Sequence, residues 1–176
     1  MTTLPLPLIL AATLLFQGAD KPFASDAGNF RIMLPGVPQE QTMQVPSAIG
    51  PLQVYLYSVD QDGNIWVVIY NDYPEQIAKA DPDQVLERTL KRTVANTKGT
   101  LVSKKDIKLD GFPGKEFEAT VPSLDQEGGT LTQRARTYLV KKRLYQVILT
   151  GPADQVKSKA GDAFFASFAL IKKPAR

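Results

Sequence analysis

Asp72 and Glu75 stand three residues apart in the run Asn71-Asp72-Tyr73-Pro74-Glu75, with Tyr70 just before them. Paired carboxylates are the working groups of glycoside hydrolysis, one as acid and the other as base or nucleophile. That division of labour needs a neighbour that raises the pKa of one member, and none is legible beside either. Asp and Pro also collect where a strand gives way to a loop. A turn leading into a helix is the preferred reading, and no catalytic residue is assigned.

Asp60, Asp62 and Asn64 flank Gly63 like the start of a calcium loop. A complete loop needs more oxygen ligands and a distal bidentate acid, and the apolar Ile65 to Tyr70 follows instead. The reading is a hairpin turn, with no metal site. Gly111-Phe112-Pro113-Gly114 lacks the lysine-serine continuation and strand-to-helix setting of a phosphate loop. Ser47, Ser103, Ser123 and Ser167 have no nucleophile-elbow context. The chain has no histidine to activate them and no cysteine. That double absence removes thiol nucleophiles, disulfides and the usual zinc, copper and haem ligands. No cofactor is expected, and the chain reads as a non-enzyme.

The most concentrated set of cations is Arg134, Arg136, Lys141, Lys142 and Arg143. It has two readings: a docking surface for an acidic partner or anionic head groups, or solubilising charge that discourages edge pairing. The second is preferred, because Glu116, Glu118 and Asp125 are available to lie alongside. The five remain the candidate partner-binding residues. With 21 basic and 18 acidic residues, net charge +3 and no long basic run, nucleic acid is not expected as a partner.

These groups must be positioned by one domain, given 176 residues that are 43% hydrophobic and 22% charged. Residues 1–19 carry no charged side chain, and Leu4 to Phe16 is apolar but short for a membrane span. They read as a secretory signal peptide, extending to residue 27 if Ser25-Asp26-Ala27 is the cleavage site. The domain is then 28–172, followed by a basic tail at 173–176, and the location is extracytoplasmic.

Thr130 to Thr150 reads as two long strands turning at Lys141-Lys142, setting Val140 against Arg143, Leu139 against Leu144 and Tyr138 against Tyr145. Leu52 to Asp60 and Ile65 to Asp72 form a second hairpin, in which Asp62-Gly63 has the pair favoured for a type I′ turn. Val59 then faces Trp66, Tyr57 faces Val68 and Tyr55 faces Tyr70. Both hairpins are apolar on both faces, so both are expected to be central and covered on both sides. Phe30 to Leu34 reads as a first strand and Gln39 to Val45 as a polar edge strand. Leu101 to Leu109 and Lys115 to Val121 are expected to pair around a loop from Asp110 to Gly114, with Ile107, Leu109, Phe117, Ala119 and Val121 inward and Lys108, Glu116 and Glu118 outward. Ser123 to Gly129 reads as a polar loop.

Asp81-Pro82-Asp83 opens a helix, with Asp81 as N-cap and Val85, Leu86, Leu90 and Val94 at helical spacing. Glu87 and Lys91 form an i,i+4 pair, and Gly99 is the expected C′ glycine. A last helix starts at Pro152 and carries Val156, Ala160, Phe164 and Phe168 through Gly161. Hairpins with only two helices do not fit a doubly wound parallel sheet. The expected class is α+β: a twisted, mainly antiparallel β-sheet flanked by helices.

The order of five short stretches resembles the PsbP/DcrB-like α/β/α sandwich superfamily, in particular its small exported bacterial members of unknown function. They are Phe30-Arg31-Ile32-Met33-Leu34-Pro35-Gly36-Val37-Pro38, Tyr70-Asn71-Asp72-Tyr73-Pro74, Gly111-Phe112-Pro113-Gly114-Lys115-Glu116-Phe117, Arg143-Leu144-Tyr145-Gln146 and Phe164-Phe165-Ala166-Ser167-Phe168. One departure is Lys141-Lys142, where the family pattern has a Gly-Asn type turn; lysine disfavours the positive φ such a turn needs, which leaves a longer loop or a shifted register open. The resemblance implies the fold and an accessory role outside the cytoplasm, and brings no catalytic residues. The expected function is binding of a protein partner in the envelope or at a membrane surface. The alternative is a carrier or sensor of a small apolar ligand, held by aromatics such as Tyr55, Tyr57, Trp66 and Tyr70.

Overall fold

The computed structural model describes residues 22–47, 50–75, 80–123 and 128–171. The signal-peptide reading of residues 1–19, the basic tail at 173–176 and Asp125 in the polar loop lie outside them. The elements run β1 (Phe23–Ser25), β2 (Phe30–Ile32), β3 (Gln39–Val45), β4 (Leu52–Gln61), β5 (Asn64–Asp72), α1 (Pro82–Asn96), β6 (Thr100–Leu109), β7 (Phe112–Pro122), β8 (Thr130–Val140), β9 (Arg143–Gly151), α2 (Ala153–Val156), α3 (Lys159–Ser167) and β10 (Ala169–Leu170).

Seven strands form one antiparallel sheet in the order β3-β4-β5-β9-β8-β7-β6. It consists of two meanders joined where β5 meets β9, so the two apolar hairpins supply four adjacent central strands. Their registers are those the sequence predicts, Tyr55 facing Tyr70 and Tyr138 facing Tyr145. Asp62 and Gly63 both take positive φ, at 52° and 72°, as a type I′ turn requires. The turn at Lys141-Lys142 is also two residues long, and Lys141 accepts a φ of 56°. The lysines therefore neither lengthen the loop nor shift the register.

Helix α1 lies over β7 and β8 on one face of the sheet. Asp81 caps it by accepting from the Asp83 N–H, and Val85, Leu86, Leu90 and Val94 are buried. They meet Phe117, Ala119, Val121, Ala135 and Ile148 in one cluster and Leu139 and Leu144 in another. Full burial of side chains of this size stabilises by about 1.5–3 kcal/mol each. On this face Val54, Leu56, Val67 and Ile69 are half-buried, so β4 and β5 are covered fully on one side only. The helix ends in a Schellman motif, in which the Gly99 N–H donates to the Val94 carbonyl and the Lys98 N–H to that of Ala95. The left-handed C′ residue is thus Lys98, with φ 51°, and Gly99 stands one place later. A β-carbon on Gly99 would come within 3.0 Å of Val121 Cγ1 and 3.2 Å of the Thr120 carbonyl, so close approach to β7 selects that glycine. Glu87 pairs with Lys104 of β6 at 2.7 Å instead of with Lys91.

The opposite face carries the larger core. Tyr57, Val68, Tyr70, Tyr145, Val147 and Leu149 pack against Phe30, Ile32, Phe164, Phe165 and Phe168. Phe30 belongs to a second, three-stranded sheet in the order β1-β2-β10, which lies outside the main sheet. Ring contacts tie Phe23 and Phe30 of this small sheet to Tyr57, and Tyr145 Oη donates to the Gly28 carbonyl at 2.7 Å. The expected single C-terminal helix is broken into α2 and α3, because Ser158 starts a new helix by capping the Gly161 N–H. Gly161 sits inside α3, where a β-carbon would collide with the Val156 carbonyl. Phe168 follows the helix in extended conformation.

The third hairpin departs most from expectation. Its turn is Asp110-Gly111 alone, both at positive φ, so Phe112, Pro113 and Gly114 belong to β7. Shortening the loop by three residues is an odd shift, and an odd shift moves side chains to the other face. Ile107 and Leu109 consequently join the aromatic core, while Phe117, Ala119 and Val121 face α1. Glu116, expected outward, is buried. A bulge at Val102 breaks the register between Leu101 and Ser103 in this edge strand.

Candidate functional site

The carboxylate pair at the end of β5 is spoken for. Asp72 faces Arg143 across the β5–β9 junction and receives its Nε and Nη2 at 2.6 and 2.7 Å. That two-toothed bond holds the Asp72 carboxyl below its ordinary range, outweighing the opposing effect of burial. Glu75 pairs with Lys142 at 2.8 Å, which pushes the lysine pKa up. Arg143 also donates to the Ala27 carbonyl at 2.8 Å and lies 4.9 Å from the centre of the Tyr70 ring. A carboxyl held ionised by a guanidinium is a poor general acid near neutral pH. Asp60 and Asp62 sit at a plain hairpin turn, and no group of three acidic side chains among the described residues stands ready to hold a metal.

The five candidate cations separate into two groups. Arg134 and Arg136 lie on the aromatic face of β8, where β7 brings Glu116 alongside. The Glu116 carboxylate takes Lys105 at 2.9 Å, Arg134 at 3.4 Å and Arg136 more closely still. Burial raises the pKa of Glu116, but the three cations outweigh it and the net shift is downward. Arg134 continues to Asp162 of α3 at 2.6 Å, Arg136 donates to the Phe165 carbonyl at 3.3 Å, and both guanidiniums lie against the Phe165 ring. This network fastens α3 to the sheet.

Lys141, Lys142 and Arg143 form the second group, at the β8–β9 turn. They border a shallow recess of about 410 Å³ that Asn29 and Ile171 close on the far side. Lys141 is exposed at the tip of the turn.

The four aromatics of the ligand reading also separate. Tyr55 stacks on Tyr70 with ring centres 4.6 Å apart, and Tyr57 packs against Tyr70, Phe23 and Phe30, which leaves those tyrosines as solid core. Burial, with Tyr57 beside it, pushes the Tyr70 phenol well above its ordinary pKa. Trp66 instead meets Phe164 edge-on at 4.9 Å and lines a half-open groove of about 750 Å³ between β5, the segment after β2, and α2–α3. Met33, Leu34 and Pro35 form one wall, and Ala160 and Ala163 the α3 side. Of these residues the sequence reading singled out Trp66 for a ligand role. The groove exists because the C-terminal helix breaks at Ser158 and presents alanines there, a break signalled only by the serine three residues before Gly161.

A seven-stranded antiparallel sheet, with one helix on one face and two helices and a small sheet on the other, is the α/β/α sandwich of the PsbP type. The particular structures it matches include the solution structure of cyanobacterial PsbP (CyanoP) from Synechocystis sp. PCC 6803, with a TM-score of 0.57 and 13% identity over 85% of this chain and 91% of that one. A crystal structure from Pseudomonas aeruginosa, PA94, described as a protein of unknown function, aligns with a TM-score of 0.47 and 12% identity over 77% and 99%. No family model matches the chain, and no curated protein does. The likeness is one of fold.

Proposed function

We propose that this chain is a non-catalytic accessory protein that acts outside the cytoplasm by binding a protein partner in the envelope or at a membrane surface. The observation that carries the reading is the disposition of charge. Lys115 and Glu116, the buried charged side chains among the described residues, are each saturated by opposite charges. Asp72 is locked by Arg143. The tip of the β8–β9 turn, by contrast, presents Lys141 to solvent with left-handed φ. The sharing of fold with cyanobacterial PsbP supports the same reading, as does the apolar run from Leu4 to Phe16.

The test is recovery of the full chain from cell fractions, followed by affinity capture with and without Lys141→Glu and Lys142→Glu. The reading expects an extracytoplasmic fraction and one partner lost on charge reversal. Recovery of unprocessed chain from the cytoplasm, or a partner indifferent to both charges, overturns it.

A second reading, carriage or sensing of a small apolar ligand, is favoured by the groove beside Trp66. Its volume falls within the roughly 300–1,000 Å³ of small-molecule sites.

A further inference from the structure

The walls and rim of this groove differ in chemistry. Half-buried Trp66 and the 39% exposed Met33 offer apolar surface that water covers in the free protein, over a floor of buried Leu34 and Phe164. The charged residues at its edge are Asp62 and Asp154, and no lysine or arginine lines it. Asp62 is held there by the type I′ turn and Asp154 by the first turn of α2. Both are exposed, and neither takes part in an ion pair among the described residues. Elsewhere among the described residues Asp72, Glu75, Asp83, Glu87, Asp106, Glu116, Glu118 and Asp162 are matched to cations, while Asp26, Glu40, Asp60, Asp81 and Asp110 are not; what distinguishes Asp62 and Asp154 is their place at the edge of an apolar groove. On a chain with net charge +3, an apolar recess edged only by carboxylates stands apart.

We infer that this groove binds a cationic amphiphile, its apolar body against Trp66 and Met33 and its positive head at Asp62 and Asp154. The inference rests on the ligand reading above and gives that ligand a charge and an orientation. The carboxylates act on selectivity more than on gross affinity, because exposed charge pairs are individually weak. Two of them favour a cation over a neutral molecule of the same body by about tenfold at low salt.

Trp66 is the chain's single tryptophan, so its fluorescence reports this groove alone. The full chain is titrated at low salt with decyltrimethylammonium, decyl maltoside and decanoate, each below its micelle concentration. The inference expects a saturable Trp66 shift with all probes weakened by Ala163→Arg, and with the cation about tenfold tighter than the neutral probe. The double variant Asp62→Asn, Asp154→Asn should bring the cation to the neutral probe's affinity and leave the neutral probe unchanged. Asparagine tolerates the left-handed φ at position 62, so the turn survives. Equal or tighter binding of the neutral or anionic probe overturns the charge assignment and leaves the ligand reading standing. No saturable shift with any probe, or shifts untouched by Ala163→Arg, overturns both. A Trp66 shift that appears with protein concentration alone places a second copy in the groove and also overturns the assignment.

Discussion

Asp72 and Arg143 are register partners on β5 and β9, and their two-toothed bond closes the end of the junction between the two meanders. The carboxylate that most resembles a catalytic acid in the sequence is thereby a strut. Asp72 is partly exposed, so its ion pair alone stabilises by no more than about 1 kcal/mol. Arg143→Ala also removes the bond to Ala27 and the contact with Tyr70, and should cost about 1–3 kcal/mol in urea unfolding. Asp72→Asn should cost less than Arg143→Ala. The reverse order would mean that the carboxylate has a role beyond this bond.

Glu116 is the more deeply held carboxylate. Glu116→Ala leaves Arg136 without a carboxylate partner and Arg134 with Asp162 alone, and should cost about 2–3 kcal/mol. Glu118→Ala breaks only the surface pair with Lys157 and should cost under about 1 kcal/mol. Chemical denaturation of the two variants measures the difference directly.

Stability should also depend on acid in a defined direction. Asp72 and Glu116 both titrate below their ordinary values when folded. Their stabilisation is therefore complete above the unfolded pKa values of about 3.9 and 4.3. It is lost as pH falls through the lower, folded values, where the native carboxylates take up protons. Denaturant midpoints measured from pH 7 to pH 2 should fall only below about pH 5, and more shallowly in Glu116→Gln.

Gly151 ends the central strand β9, and the Asn64 side chain occupies the place a β-carbon would take there. Gly151→Ala should displace Asn64 and its bond to Gln155 at the groove edge, at a cost of about 1–3 kcal/mol. Gly63→Ala puts a β-carbon into open space but at φ 72°, so its smaller cost, about 1 kcal/mol, is conformational only. Thermal unfolding of the pair separates steric from backbone effects.

Much of this fold is legible because its signals are local. Alternation over Leu52 to Asp72 and Thr130 to Thr150, the Asp62-Gly63 turn and the Asp81-Pro82 cap each fix geometry within a few residues. What escapes depends on distance or on counting. Placing the third turn three residues too wide sends Glu116 to solvent and Ile107 to the wrong face, because strand faces alternate with every residue. The split of the five cations needs the β7–β8 register, which crosses the loop from Ser123 to Gly129. The groove needs the helix break at Ser158 and the small sheet, in which β2 is legible as the Phe30 strand but β1 and β10, three and two residues long, carry too little pattern to read.

Partner binding through the β8–β9 turn is the function proposed for this protein. A photo-activated cross-linker placed at Lys141 in the full chain, expressed in its own cells, tests this most directly, with position 102 on exposed β6 as control. Binding through the turn predicts one dominant adduct with an envelope or membrane-associated protein from position 141, absent from position 102 and abolished by Lys142→Glu. No adduct from position 141, or the same adducts from both positions, would contradict it.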